Sequence, residues 1–262
     1  MNRIVFLGTG TSQGVPMIGC ECEVCQSDDP RDKRLRSSAY IEYEGLKLLV
    51  DAGPDFRQQM LREGISGVDA ILLTHNHKDH TGGLDDIRAF NYLERKATCI
   101  YCEKYVEDSL RMEYSYAFSE NRYPGAPEWE IHTIDEHPFR INGVEIIPIR
   151  GRHFRLPVLG FRFGNIAYCT DMNHIPEDEF LKLKNLDVFI INCVRRGRHI
   201  SHFSLEGALE TASKVGAKKT FLTHMSHQLP VHKELAAELP EGISPAYDGL
   251  VVEFEETPYK YL

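Results

Sequence analysis

Apolar positions along this chain come in short, dense runs separated by polar punctuation. Residues 4–7, 70–74, 188–192 and 220–223 are such runs, and their length and near-continuous hydrophobicity predict strands buried on both faces. Three further pairs of short apolar segments flank turn residues: 40–44 and 46–50 about Gly45, 139–141 and 144–149 about Asn142-Gly143, and 161–163 and 166–169 about Gly164-Asn165. Asn-Gly and Gly-Asn suit the two-residue turns whose twist matches that of paired strands, so these read as hairpins. Helical spacing follows Gly82-Gly83 at Leu84, Ile87 and Asn91, recurs through 203–215 with Leu205, Leu209 and Ala212, and appears again over 232–239. Many strands with helices between them predict two sheets covered by helices. With no fixed-period repeat, linker or like-charge block, residues 1–262 read as a single domain.

Composition narrows this only slightly. At 42% hydrophobic and 26% charged residues, the balance is that of an ordinary globular protein. A net charge of -9 argues against non-specific attraction to nucleic acid or to an anionic membrane, while leaving room for a local basic pocket. The apolar amino-terminal run is too short for a membrane span. Seven cysteines are an odd number and make a poor disulfide framework, so the cytoplasm is the expected compartment.

Chemistry concentrates in Thr74-His75-Asn76-His77-Lys78-Asp79-His80-Thr81-Gly82-Gly83. His75, His77, Asp79 and His80 follow directly on an apolar run. On a tight turn leaving a strand, His75 and His77 can point to one side and Asp79 and His80 to the other, which suits two metal ions about 3.5–4 Å apart. The glycines let the chain turn back without a Cβ clash. Further ligand-type residues stand where strands end: His153 after 144–149, Asp171 after 166–169, and His224 after 220–223.

The His-x-His-x-Asp-His segment, taken with His153, Asp171 and His224, resembles the metallo-β-lactamase superfamily pattern. That resemblance implies that His75, His77 and His153 hold one metal, that Asp79, His80 and His224 hold the second, and that Asp171 bridges them. It also implies an α/β fold of four layers, an αββα sandwich of two mixed sheets flanked by helices, with the active site along one edge. Asp51, within Leu49-Val50-Asp51-Ala52-Gly53, matches the aspartate that precedes the histidine motif in this superfamily, and is expected to orient a ligand or the motif loop.

Cys20-Glu21-Cys22-Glu23-Val24-Cys25 brings three thiols together, and a tetrahedral structural zinc needs a fourth ligand. His227, three residues beyond His224, is a candidate. The segment 7–16, Leu-Gly-Thr-Gly-Thr-Ser-Gln-Gly-Val-Pro, followed by the cysteine cluster, is similar to the PhnP-like phosphoribosyl cyclic-phosphate phosphodiesterase branch, which implies the same pairing of cysteines with histidine. Cys99, Cys102, Cys169 and Cys193 read as plain thiols without a function.

Two divalent ions can lower the pKa of a bridging water and supply hydroxide as nucleophile at neutral pH, which leaves the leaving group in need of an acid. By resemblance to PhnP-like and tRNA 3′-end-processing members, that acid is His202, with His199 the nearby competitor; Asp79 joins it as a catalytic residue. Arg195, Arg196 and Arg198 precede His202, and Arg150, Arg152 and Arg155 surround His153. Such clusters favour a phosphoryl substrate. The expectation is a phosphodiesterase for small or cyclic phosphodiesters using two manganese or zinc ions and one structural zinc. The alternatives are an RNA-processing nuclease of the tRNA 3′-end type, a hydrolase of thioesters, or a non-catalytic metal-bound sensor. No membrane partner or stable nucleic-acid binding is expected. Residues 103–129, rich in Tyr and Phe, fit a substrate-side lid, a homodimer surface or core packing equally well.

Overall fold

Alternate residues of the first strand, β1 (Asn2–Gly8), enter two different cores: Ile4 and Phe6 one, Val5 and Leu7 the other. That alternation builds the whole frame. The structure, a computed structural model, describes residues 2–254; the two ends of the expected domain, residues 1 and 255–262, lie outside them. The first sheet continues with β2 (Ser38–Tyr43), β3 (Leu46–Val50), β4 (Ala70–Leu72), β5 (Thr98–Cys102) and β6 (Trp129–Thr133). The second holds β7 (Phe139–Ile141), β8 (Val144–His153), β9 (Leu156–Phe163), β10 (Ile166–Cys169), β11 (Val188–Asn192), β12 (Lys219–Thr223) and β13 (Ile243–Pro245). A last strand, β14 (Val251–Phe254), returns to pair with β1.

The strand orders are β14-β1-β2-β3-β4-β5-β6 and β13-β12-β11-β10-β9-β8-β7. Both sheets are mixed: β1 to β3 pair antiparallel and β3 to β6 parallel, while β7 to β10 pair antiparallel and β10 to β13 parallel. Ile4, Phe6, Ile41, Leu48, Leu72, Phe161, Tyr168 and Ile190 form the core between the sheets. The outer face of the first sheet is closed by α2 (Phe56–Glu63), α4 (Arg88–Glu94) and α5 (Lys104–Glu113) through Phe56, Met60, Phe90, Val106 and Leu110. The outer face of the second is closed by α6 (Leu205–Val215) and α7 (His232–Glu238) through Leu205, Ala208 and Leu235. Two shorter helices, α1 (Glu23–Gln26) and α3 (Lys78–Thr81), lie in loops. This is the αββα sandwich the sequence led us to expect.

Several boundaries differ from the sequence reading. The strand expected over 144–149 runs on to His153, because His153 pairs with Leu156 across the β8–β9 hairpin. The helix expected from residue 203 begins at Leu205, since Ser204 is extended and its hydroxyl accepts from the Gly207 N–H as an N-cap. Phe203 instead donates to the Met172 carbonyl and accepts from Val194 N–H, strapping the residues before α6 across the sheet end. The segment 84–91 is a single 3-10 turn, Leu84–Ile87, running into α4. Of the three readings of 103–129, core packing accounts for Val106, Leu110, Tyr114 and Ala117, and Tyr114 also donates its hydroxyl to the Thr81 carbonyl 2.9 Å away.

Candidate metal centre

The seven histidine and aspartate ligands expected for the two-metal centre come together where their strands end. His75 and His77 leave β4, His80 lies on α3, His153 ends β8, Asp171 follows β10 and His224 follows β12. Ligand atoms of His75, His77 and His153 lie within 4.8 Å of one another, as do those of Asp79, His80, Asp171 and His224, and those of His153, Asp171 and His202. Asp171 therefore stands between the two groups.

The chain is strained where it delivers these groups. Asp51, Asp171 and His224 all have left-handed backbone, with φ of 62°, 56° and 51°, and so does Phe154 at 57°. Side chains with a Cβ adopt this region rarely, and residues held there cluster at functional sites. Close approach does the rest. A Cβ on Gly53 would sit 2.0 Å from the Asp79 carbonyl, and one on Gly83 2.0 Å from the Gly53 carbonyl. Gly82 and Gly83 have ordinary negative φ values, so what they supply is room for a neighbouring backbone.

Asp51 is fully buried behind the ligands. Its carboxylate meets His80 Nδ1 at 2.7 Å and accepts from the Thr74 N–H at 2.9 Å and the Thr74 hydroxyl. The Thr74 Oγ1 in turn lies 2.9 Å from His75 Nδ1. His153 Nδ1 lies 2.8 Å from the Ser201 carbonyl, which fixes the proton on that nitrogen. In each case Nδ1 is tied back and Nε2 is left to face the site. Of these two supports only Thr74, beside the first histidine at a strand end, carries a local sequence signal; the Ser201 carbonyl carries none.

His80 Nε2 lies 3.1 Å from Asp171 Oδ2, and His224 Nε2 3.0 Å from Asp171 Oδ1. Yet among the described residues the buried Nε2 atoms of His75, His80 and His224 make no well-aligned hydrogen bond, these short contacts to Asp171 included. Buried polar groups without partners are costly, and ring nitrogens converging on carboxylates with orphaned lone pairs are a donor set that fits divalent cations. Burial acts to raise the Asp171 carboxyl, but the His224 and His80 rings beside it hold it well below the usual carboxylate range. His202 stacks on His224 with centroids 4.7 Å apart and lies 4.5 Å from the His153 ring. Burial, helped by His224, pushes its pKa down to about 3. His199 sits farther out, its ring 5.1 Å from that of His202.

The arginines divide. Arg150 is bound to Glu103 and Glu136, and Arg196 to Glu238. Arg195 donates to the Gln228 side chain and the Arg198 carbonyl, bracing its own loop. Among the described residues, Arg152, Arg155 and Arg198 have no acidic partner. Beside His77 and His153 opens a cleft of about 540 Å³, walled by Phe154, Arg155, Leu156, Pro157, Ile200 and Ser201.

A second cluster joins Cys20, Cys22, Cys25 and His227, again with ligand atoms within 4.8 Å of one another. His227 Nδ1 is 3.2 Å from Cys20 Sγ and 3.4 Å from Cys22 Sγ. Hydrogen bonds from the Cys25 backbone and His227 lower the Cys22 thiol to about 6, the thiolate character a metal ligand requires. Nearby, Met225 N–H donates to the Thr9 carbonyl at 2.8 Å, tying the amino-terminal loop to the segment after His224.

Comparison with known proteins gives the family and the fold. Residues 47–225 match the family described as beta-lactamase superfamily domain. An octanoyltransferase of Porphyromonas gingivalis is 42% identical over 97% of this chain, and the chain spans only 52% of that protein. A crystal structure of a diphosphatase from the PhnP family is 39% identical, with a TM-score of 0.91, covering 99% of this chain and 100% of that one. The short form of human tRNase Z shares the fold at 19% identity, with a TM-score of 0.68 over 97% of this chain and all of that one.

Proposed function

The chain belongs to the metallo-β-lactamase superfamily of hydrolases and, within it, to the PhnP family, and on that footing we propose that it is a phosphodiesterase for small or cyclic phosphodiesters. In this reading His75, His77 and His153 hold one divalent ion, Asp79, His80 and His224 a second, and Asp171 stands between them; Cys20, Cys22, Cys25 and His227 hold a structural zinc. The single observation that carries the reading is Asp171, whose two oxygens face His80, His224 and, at 3.7 Å, His202 Nδ1. When bound, two divalent manganese or zinc ions supply Lewis acidity toward water and toward a phosphoryl oxygen.

The rest is the work of side chains. Asp51 and the Ser201 carbonyl hold His80 and His153 in the tautomer that presents Nε2. Asp79, more open to solvent than Asp171, orients the attacking water. His202, wedged between the His153 and His224 rings, donates the proton to the departing oxygen; an anionic phosphate beside it favours the charged ring that this step needs. Arg198 and Arg152, without an acidic partner among the described residues, are the cations left for substrate phosphate. The similarity to a diphosphatase of the PhnP family supports phosphoryl chemistry. The octanoyltransferase relative supports acyl chemistry less, since this chain spans about half of it.

We further read residues 1–262 as one hydrolase domain. No helix of the described residues is long and apolar enough to cross a membrane. None of the seven cysteines is joined in a disulfide, which favours a reducing compartment such as the cytoplasm. The test is a substrate panel after loading with manganese or zinc: a chromogenic phosphodiester, cyclic phosphates, a thioester and a β-lactam. Turnover confined to the thioester or the lactam would overturn the phosphodiester assignment.

A further inference from the structure

The cleft beside His77 and His153 has a character that the metal centre does not explain. Its walls are mainly apolar, with Phe154, Leu156, Pro157 and Ile200, and among the described residues lining it Arg155 is the one arginine or lysine. At about 540 Å³ it lies in the range of small-molecule sites. Phe154 and Ile200 are large apolar residues left 48% and 65% exposed at its mouth.

Both walls are built rather than loose. Phe154 is held in left-handed backbone, φ 57°, at the turn after His153. Its N–H donates to Asn173 Oδ1 at 2.9 Å, and Asn173 Nδ2 donates to the Ile200 carbonyl at 3.2 Å. One asparagine side chain thus ties the two walls together. His153 Nδ1 meets the Ser201 carbonyl from the same loop, so the cleft and the metal-facing nitrogen of His153 share one support. The Arg155 guanidinium lies 5.2 Å from the centroid of the Phe154 ring.

We propose that this cleft is a nucleobase subsite, in which the base of a nucleoside-bearing phosphodiester or diphosphodiester stacks on Phe154, flanked by Arg155 and Ile200, while its phosphate lies at the metal centre. The proposal rests on the phosphodiesterase reading and names its substrate class. An aromatic ring next to a guanidinium is a general platform for bases, because every base offers a π-face. Among the described residues none that lines the cleft is a carboxylate that would repel a nucleotide. An acyl chain would need an enclosed tunnel to remove its surface from water, whereas a planar group gains most of its contact from one ring in an open cleft.

The experiment compares two esters with the same leaving group, the p-nitrophenyl ester of thymidine 5′-phosphate and methyl p-nitrophenyl phosphate, on metal-loaded wild type, Phe154→Asn and Phe154→Trp. Asparagine tolerates the left-handed backbone, and tryptophan restores a stacking face. The expected result is that Phe154→Asn raises KM for the thymidine ester relative to the methyl ester by roughly 5- to 150-fold, the span of one lost stacking contact, and that Phe154→Trp brings the ratio back. Equal KM changes for both esters would overturn the subsite and leave the phosphodiesterase reading standing. If wild type cleaves neither ester, that reading fails, and fluorescence of Phe154→Trp decides the cleft alone. Quenching by thymidine 5′-monophosphate, absent in wild type, would support it; no quenching, or quenching by an octanoyl thioester only, would overturn it.

Discussion

The Asp51 carboxylate lies 2.7 Å from His80 Nδ1, and both side chains are completely buried. One buried carboxylate thus fixes the ring whose other nitrogen faces Asp171. It also takes the Thr74 N–H and hydroxyl, and through Thr74 it reaches His75 Nδ1. Two candidate ligands, one from each group, depend on the same aspartate.

Replacing that aspartate is therefore expected to weaken metal binding without touching a ligand. Asp51→Ala should lower affinity by roughly 10- to 100-fold, the usual effect of losing a group that orients a metal-bound histidine. Competition with a chromogenic chelator measures this, with circular dichroism as a control for folding. Unaltered affinity in a folded variant would place Asp51 outside the metal centre.

The cysteine cluster makes a separate prediction. Cys22→Ser removes the thiol that the Cys25 backbone and His227 make acidic and is expected to cost one bound zinc per chain while the catalytic group keeps its metal. The loop it anchors lies between β1 and β2, so limited proteolysis within residues 11–36 should speed up. Metal content by emission spectrometry and mapping of the first cleavage check this together. An unchanged metal count would remove the structural zinc from the account.

Stability should respond to pH through His232. The ring is buried, its Nδ1 lies 3.5 Å from the Arg34 guanidinium, and its backbone N–H donates to Asp32. Burial, then Arg34 and Arg31, lower its pKa from 6.5 to about 4, against the opposing pull of Asp32 and Asp29. The unfolded chain then binds more protons than the folded one between pH 6.5 and 4. The contribution is complete above the unfolded value and is lost as pH falls through this window. His232→Gln should flatten the fall in Tm between pH 6.5 and 4 relative to wild type. Parallel Tm curves would show that the ring does not titrate in this way.

The metal constellation was legible because its chemistry sits in the sequence itself: His75, His77, Asp79 and His80 are neighbours, and His153, Asp171 and His224 each stand at the end of an apolar run. The sandwich was legible through hairpins whose turns carry Asn and Gly, and through strands such as β11, where Val188 and Ile190 face one core and Phe189 and Ile191 another. What escaped was tertiary. The helix α2 has mixed polarity and is held by only three buried residues, Phe56, Gln59 and Met60. The extension of β8 to His153 exists only because β9 lies alongside. No local signal told Arg196, drawn away to Glu238, from Arg198, which has no acidic partner among the described residues. Nor could periodicity reveal that one asparagine, Asn173, joins Phe154 to Ile200.

The central claim is that a side chain outside the two ligand groups, His202, supplies the leaving-group proton at a centre organised by Asp171. The most direct measurement is phosphodiester turnover by His202→Ala loaded with manganese or zinc, with metal content determined on the same sample. The account predicts a fall in kcat of roughly 10²- to 10⁴-fold, the usual worth of a positioned acid, at full metal occupancy. Turnover within a few-fold of wild type, or a loss that merely follows loss of metal, would contradict it.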